Sequence, residues 1–260
     1  MPGLQLTFLG TGTSVGVPMI GCVCETCVSA DSRDQRLRCS VLIETAQLRL
    51  LVDAGPDLRQ QCLRTGITKL DGVLITHSHA DHVMGFDDLR RFTLGRDDTL
   101  RVFARASCLT ALKKMFFYIF NGENRYPGYF KPDPCVLGDI LEISGLEVVP
   151  IAVEHGKVEC VGFLFRQEGR SVLAYLPDCK RISDAGLEAL SGVECLVIDA
   201  LRGRAHPTHM SIDEAVAISA EICPGTTWLT HISHEVLHAR EQQALPDGVH
   251  IAYDGLKLSL

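Results

Sequence analysis

The 260-residue chain predicts an α/β fold in which β-sheets are covered by helices on their outer faces. Two observations carry that expectation. Short apolar runs rich in β-branched residues recur along the chain, and helical patterns opened by serine lie between them. Their order is strand-rich, helical, strand-rich, helical, which points away from a simple doubly wound sheet.

The runs LQLTFLG, CSVLIET, LRLLVDAG and GVLIT come first. LEVVPIAV, VGFLFRQ, SVLAYLPD, CLVIDA and TWLTHI follow, and HIAYDGLKLSL closes the series. Most end in Gly, Asp or a polar ligand type, as strands do. Residues 107–117 (SCLTALKKMFF) read as a helix with a serine cap, and residues 183–190 (SDAGLEAL) as another. Residues 211–222 (SIDEAVAISAEI) read as a third, with Ser211 and Glu214 spaced as a capping box. NGENRYPGYFKPDPC, 121–135, is the one Pro/Gly-rich interruption and reads as a long surface loop of the kind that often carries function. With no linker and no repeat, residues 1–260 read as a single domain.

A net charge of −7 argues against a general nucleic-acid binder, which needs a basic face. The opening MPGLQLTFLGTG lacks a basic n-region, an apolar h-region and a cleavage site. No run approaches the roughly 18 apolar residues of a membrane helix, so a cytoplasmic protein is expected. Eleven cysteines is an odd number without a framework pattern, which favours reduced thiols. Cys62, Cys108, Cys160, Cys195 and Cys223 sit in apolar segments and are expected to be buried.

GVLITHSHADHVMGF holds the strongest chemical signal. An apolar strand runs into His77 and His79, and alternate side chains of an extended segment point the same way, so both can grip one metal. Asp81 and His82, at the start of the following helix, face a neighbouring position. A solvated turn has no need of three histidines, and three packed imidazoles without partners are costly. In GCVCETC, residues 21–27, Cys22, Cys24 and Cys27 are one ligand short of a closed tetrahedral zinc site. Either the fourth ligand lies elsewhere in the chain or the cluster is not a zinc site.

H-x-H-x-D-H after a strand resembles the metallo-β-lactamase superfamily. The resemblance implies further ligands at strand ends, and His155, Asp178 and His231 stand after EVVPIAVE, in SVLAYLPD and after TWLT in the required order. Taken alone, His155 could be a surface residue and Asp178 a turn cap. Asp53 in LVDAG is also a feature of the family, usually structural. GTGTSVGVPMIGCVCETC, THISH and the YDG of 253–255 narrow the resemblance to the PhnP type of phosphodiesterase.

The likeness implies a four-layer αββα sandwich and two divalent metals. His77, His79 and His155 would hold the first, and Asp81, His82 and His231 the second, with Asp178 and a hydroxide bridging them. Imidazole and carboxylate ligands suit Zn²⁺, Mn²⁺ or Fe²⁺. His234, in THISH, completes a Cys₃His set for one structural zinc; a redox role for the thiols is the alternative. His209, just before the third helix, would contact the phosphate and act as an acid, with His206 its near competitor. Asp81 joins His209 in the expected catalytic set. The implied activity is hydrolysis of a small phosphodiester such as 5-phosphoribosyl 1,2-cyclic phosphate, with self-association into a homodimer left open. A nuclease of the tRNA 3′-processing type, a thioester hydrolase and a metal-scaffolded partner surface are the rival readings. The segment from about 93 to 135 does not match the PhnP type.

Overall fold

The computed structural model describes residues 3–94, 99–122 and 130–260. Strands β1 (Gln5–Gly10), β2 (Ser40–Glu44), β3 (Arg49–Val52), β4 (Gly72–Leu74), β5 (Leu100–Ala104) and β6 (Pro132–Val136) belong to one sheet. Strands β7 (Leu141–Ile143), β8 (Leu146–His155), β9 (Val158–Gln167), β10 (Arg170–Leu176), β11 (Arg181–Ile182), β12 (Cys195–Asp199), β13 (Thr226–Thr230) and β14 (Val249–Ile251) make the other. The last strand, β15 (Lys257–Ser259), returns to the first sheet, whose order is β15-β1-β2-β3-β4-β5-β6. The second runs β11-β8-β9-β10-β12-β13-β14, with β7 also on β8. The helices are α1 (Leu58–Thr65), α2 (Ala80–Val83), α3 (Ala106–Met115), α4 (Phe117–Phe120), α5 (Asp184–Leu190), α6 (Ile212–Ile222) and α7 (His238–Ala244).

Both sheets follow one plan. β15, β1, β2 and β3 pair antiparallel, and β3 through β6 pair parallel. In the second sheet β8, β9 and β10 are antiparallel, and β10, β12, β13 and β14 are parallel. The period-2 alternation of each strand divides its apolar residues between two layers. Val41, Ile43, Leu50 and Val52 pack inward on Phe163, Phe165, Tyr175 and Val197 of the opposite sheet. Leu42, Leu51 and Val73 face the other way, under Leu58 of α1 and Leu109 and Leu112 of α3. On the far side Leu196, Ile198 and Leu229 pack with Leu190 of α5 and Ile212, Ala215 and Ile222 of α6. The result is the expected helix–sheet–sheet–helix order. Each fully buried Leu, Ile or Val contributes about 1.5–3 kcal/mol. Among the described residues, no helix is long and apolar enough to cross a membrane.

Several local expectations are corrected. β5, β6, β7, β11, α1 and α7 are additional elements, and HIAYDGLKLSL contains two strands separated by a turn, not one. β6 occupies the end of the expected loop 121–135, while residues 123–129 of that loop lie outside the described residues. Ser107 is inside α3, which begins at Ala106 after Arg105, and its hydroxyl donates to Glu159 instead of capping. Ser183 and Ser211 do cap their helices, and Ser211 with Glu214 forms the complete box. Cys108, Cys160 and Cys195 are buried, but Cys62 is half-buried and Cys223 is exposed at the left-handed end of α6.

Candidate metal centre

In a sheet with parallel strands, ligands gather outside the carboxyl ends. Here Asp53 follows β3, the turn 75–82 follows β4, Asp178 follows β10, Asp199 ends β12 and His231 follows β13. His155 ends β8, whose hairpin with β9 brings it alongside. The turn THSHADH crosses directly over DAG: Ala54 N donates to His82 O at 2.8 Å, and a Cβ on Gly55 would lie 2.0 Å from Asp81 O. Only glycine permits that approach.

Seven side chains converge. Metal-type donor atoms of His77, His79 and His155 lie within 4.8 Å of one another, as do those of Asp81, His82, Asp178 and His231. His155 Nε2 is 3.2 Å from His79 Nδ1. Asp178 stands between the two groups. Its Oδ2 is 3.9 Å from His77 Nε2 and 3.5 Å from His155 Nε2, while its Oδ1 is 3.0 Å from His82 Nε2 and 3.6 Å from His231 Nε2. Asp81 Oδ2 lies 3.3 Å from His82 Nε2 and 3.9 Å from His231 Nε2.

A second layer of contacts orients these rings from behind. His82 Nδ1 is 2.7 Å from Asp53 Oδ2, and the same carboxylate accepts the Thr76 amide at 2.9 Å. Thr76 Oγ1 is 3.0 Å from His77 Nδ1, and His155 Nδ1 is 3.0 Å from the Thr208 carbonyl. Asp53 and His231 hold φ of 65° and 60°. Left-handed backbone at a non-glycine residue costs about 1–3 kcal/mol and gathers at functional sites.

The donor set fits cations. Among the described residues, His77 Nε2, His82 Nε2, Asp178 Oδ1 and both ring nitrogens of His231 are buried with no well-aligned hydrogen-bond partner, the 3.0 Å approach of His82 to Asp178 included. Each such orphan costs about 1–3 kcal/mol unless something satisfies it. Burial opposes charge on His77 and drives its pKa well down, which keeps the lone pair available. At His82 burial is outweighed by the Asp178 and Asp53 carboxylates, which raise it well above the usual imidazole value. Positive charge is favoured at this spot, as a cation between carboxylates would be.

His209 is buried against the same cluster, its ring 4.8 Å from that of His155 and stacked 4.5 Å from that of His231. Its Nδ1 lies 2.7 Å from Asp199 Oδ2. Burial, which opposes charge on both groups, pushes His209 down to about 3 and Asp199 well up. His206 is half-buried, with its ring 5.1 Å from His209. Asp199 and Thr76 were not expected in these roles, and Asp53 does more than shape a turn. Asp199 closes CLVIDA just as Asp178 closes SVLAYLPD, so a strand-end aspartate was the available signal.

The second cluster is separate. Sulfur atoms of Cys22, Cys24 and Cys27 and a ring nitrogen of His234 lie within 4.8 Å of one another. His234 Nδ1 is 3.4 Å from Cys22 Sγ and 3.3 Å from Cys24 Sγ. Cys27 also accepts the Met19 amide at 3.3 Å. Hydrogen bonding from the Cys27 backbone, then from His234, lowers Cys24 to about 6, which favours its thiolate, whereas burial lifts Cys27 to about 11.

Comparison with known proteins agrees with this architecture. The family model described as "Beta-lactamase superfamily domain" matches residues 48–232. A solved structure described as a new diphosphatase from the PhnP family superposes with a TM-score of 0.91 at 38% identity, covering 99% of this chain and 98% of that one. An octanoyltransferase of Porphyromonas gingivalis is 38% identical over 98% of this chain, which spans only 51% of that relative's length. A ribonuclease Z of Bradyrhizobium diazoefficiens is 29% identical over 70% of this chain and 55% of its own.

Proposed function

The chain belongs to the β-lactamase superfamily, a family of metal-dependent hydrolases, and from that premise we propose that it cleaves a small, cyclic phosphodiester. The observation that carries the reading is the division of Asp178, one oxygen toward His77 and His155 and the other toward His82 and His231. That geometry suits a carboxylate shared by two cations. His77, His79 and His155 would hold one and Asp81, His82 and His231 the other. Zn²⁺ or Mn²⁺ matches the nitrogen and oxygen donors, and Zn²⁺ matches the thiolate-rich set of Cys22, Cys24, Cys27 and His234. Such a pair of cations supplies acidification of an attacking water and neutralises charge on the phosphoryl oxygens.

The remaining steps belong to side chains. Asp53, Thr76 and the Thr208 carbonyl fix the rings, so donor lone pairs stay aimed at the centre. His209 has Nδ1 engaged by Asp199, which leaves Nε2 as the nitrogen that can protonate a departing alkoxide. A phosphoryl substrate is favoured because the 38%-identical structure is described as a diphosphatase. The Porphyromonas gingivalis relative is named for octanoyl transfer, but the chain spans only 51% of it; a thioester is the alternative substrate tested alongside. The net charge of −7 weighs against a long RNA.

Turnover of bis(p-nitrophenyl) phosphate, phosphoribosyl cyclic phosphate, a nucleoside 2′,3′-cyclic phosphate, a nucleoside diphosphate, precursor tRNA and an octanoyl thioester tests the proposal. The cyclic sugar phosphate is expected to give the highest kcat/KM. Preference for the thioester or the tRNA, with the cyclic esters untouched, overturns it.

A further inference from the structure

His231 leaves β13 in a left-handed conformation, and the residue after it is held by one segment through both its amide and its carbonyl. Ile232 N donates to Thr11 O at 2.9 Å, and Ile232 O accepts from Thr13 N at 3.1 Å. The segment that does the gripping passes through a narrow gap. A Cβ on Gly12 would lie 2.9 Å from Arg36 Cβ and 3.1 Å from Leu37 O. Its far side is tied by Gly12 N to Leu37 O at 2.8 Å and Val17 N to Arg36 O at 2.9 Å.

Arg36 is fully buried here, and among the described residues it forms no direct ion pair, although the carboxylates of Asp254 and Asp34 are near enough to favour its charge. Its Nη1 donates to Thr11 Oγ1 at 2.8 Å and Ala252 O at 2.6 Å, and its Nη2 to His238 Nδ1 at 3.1 Å. The Thr11 hydroxyl in turn donates a hydrogen bond to Asp254 Oδ1 at 2.8 Å, and the Thr11 amide donates to the same oxygen at 2.9 Å. Asp254 Oδ2 accepts from Leu37 N at 2.8 Å and from Arg64. A buried guanidinium is expensive to maintain. What the fork uniquely provides is several donors in a fixed plane.

We infer that Arg36 is a positioning residue: through Thr11 and Asp254 it locks the 11–13 segment, and that segment holds the backbone turn that aims His231 at the centre. The inference rests on the reading of His231 as a cation ligand. Arg36 touches no reacting group, and nothing in the histidine-rich motif or the cysteine loop signals it.

Cation binding to the apo-protein, followed by titration calorimetry with Zn²⁺, tests it in the variants Arg36→Lys, Thr11→Val and Thr11→Ser, with His231→Ala as control. Arg36→Lys keeps the charge and loses the fork, while Thr11→Val keeps the shape and loses the hydroxyl. Both are expected to weaken one of the two cation positions of the pair by roughly 10–100-fold, the scale for removing an orienting partner. The cysteine-bound metal should be unchanged, kcat should fall at limiting Zn²⁺ and recover in excess, and Thr11→Ser should behave as the parent. Lowered thermal midpoints with unchanged cation affinity reduce Arg36 to a packing residue and overturn the inference. If Arg36→Lys does not fold, Thr11→Val decides alone. A His231→Ala protein that binds both cations normally overturns the metal reading itself, whereas loss in His231→Ala with none in Thr11→Val overturns only the positioning role.

Discussion

A carboxylate offers two oxygens, and at Asp178 they face different groups of histidines from a position that is 2% exposed. Asp178→Ala should therefore remove more than an orienting contact, whose loss typically costs roughly 10–100-fold. Turnover of the best substrate is expected to fall by well over 100-fold, with the metal content of the pair reduced. Near-normal activity would transfer the shared role to Asp199. His209→Ala should instead leave metal content intact and lower turnover by about 10²–10⁴, the usual worth of a placed proton donor. That loss should be largest for an alkoxide leaving group and small for p-nitrophenolate, which needs no proton; equal losses on both assign His209 to phosphate binding. At this scale legibility follows sequence distance. His77, His79, Asp81 and His82 are readable because one turn presents them all. The pairing of His209 with Asp199, or of His82 with Asp53, depends on how strand ends meet, and no local spacing encodes it.

Elements recovered from the sequence are those with a clear apolar run or a side-chain cap, such as β8 to β10 and α6. β6 was hidden for a physical reason. PDPCV carries two prolines, and proline is tolerated at a sheet edge, where the missing N–H faces no neighbour. Capping also gives a measurable expectation: Ser211→Ala should destabilise the protein by about 1 kcal/mol, the typical cost of a lost N-cap, as read from denaturant midpoints. An unchanged midpoint would mean that α6 is held by packing alone. The loop 21–27 has a different anchor, since His234 pins it next to the turn after β13. Cys24→Ser is expected to lower stability and to remove one zinc while the folded fraction keeps its activity. A variant with one zinc fewer and an unaltered midpoint would make that metal incidental.

Across the whole molecule, the layer order was readable from composition blocks, while the repetition of one antiparallel-to-parallel plan in both sheets was not, because strand pairing between distant segments leaves no mark on either. Metal removal should expose two classes of site. Mild chelation is expected to strip the histidine and aspartate pair and to leave about one zinc in the closed cysteine set; loss of all metal together, measured by elemental analysis, would contradict the separation. A further consequence lies in where the seven side chains originate. His77, His79, Asp81 and His82 come from one sheet, and His155, Asp178 and His231 from the other. A cation held by both is a reversible cross-link between halves of the core, and it binds the native chain in preference to the unfolded one. Stability then becomes a function of free cation, rising by about 2.7 kcal/mol at a hundred times Kd. Thermal midpoints recorded against buffered Zn²⁺ should climb with the logarithm of its concentration, so that the availability of metal in the surroundings would set the fraction of molecules that stay folded.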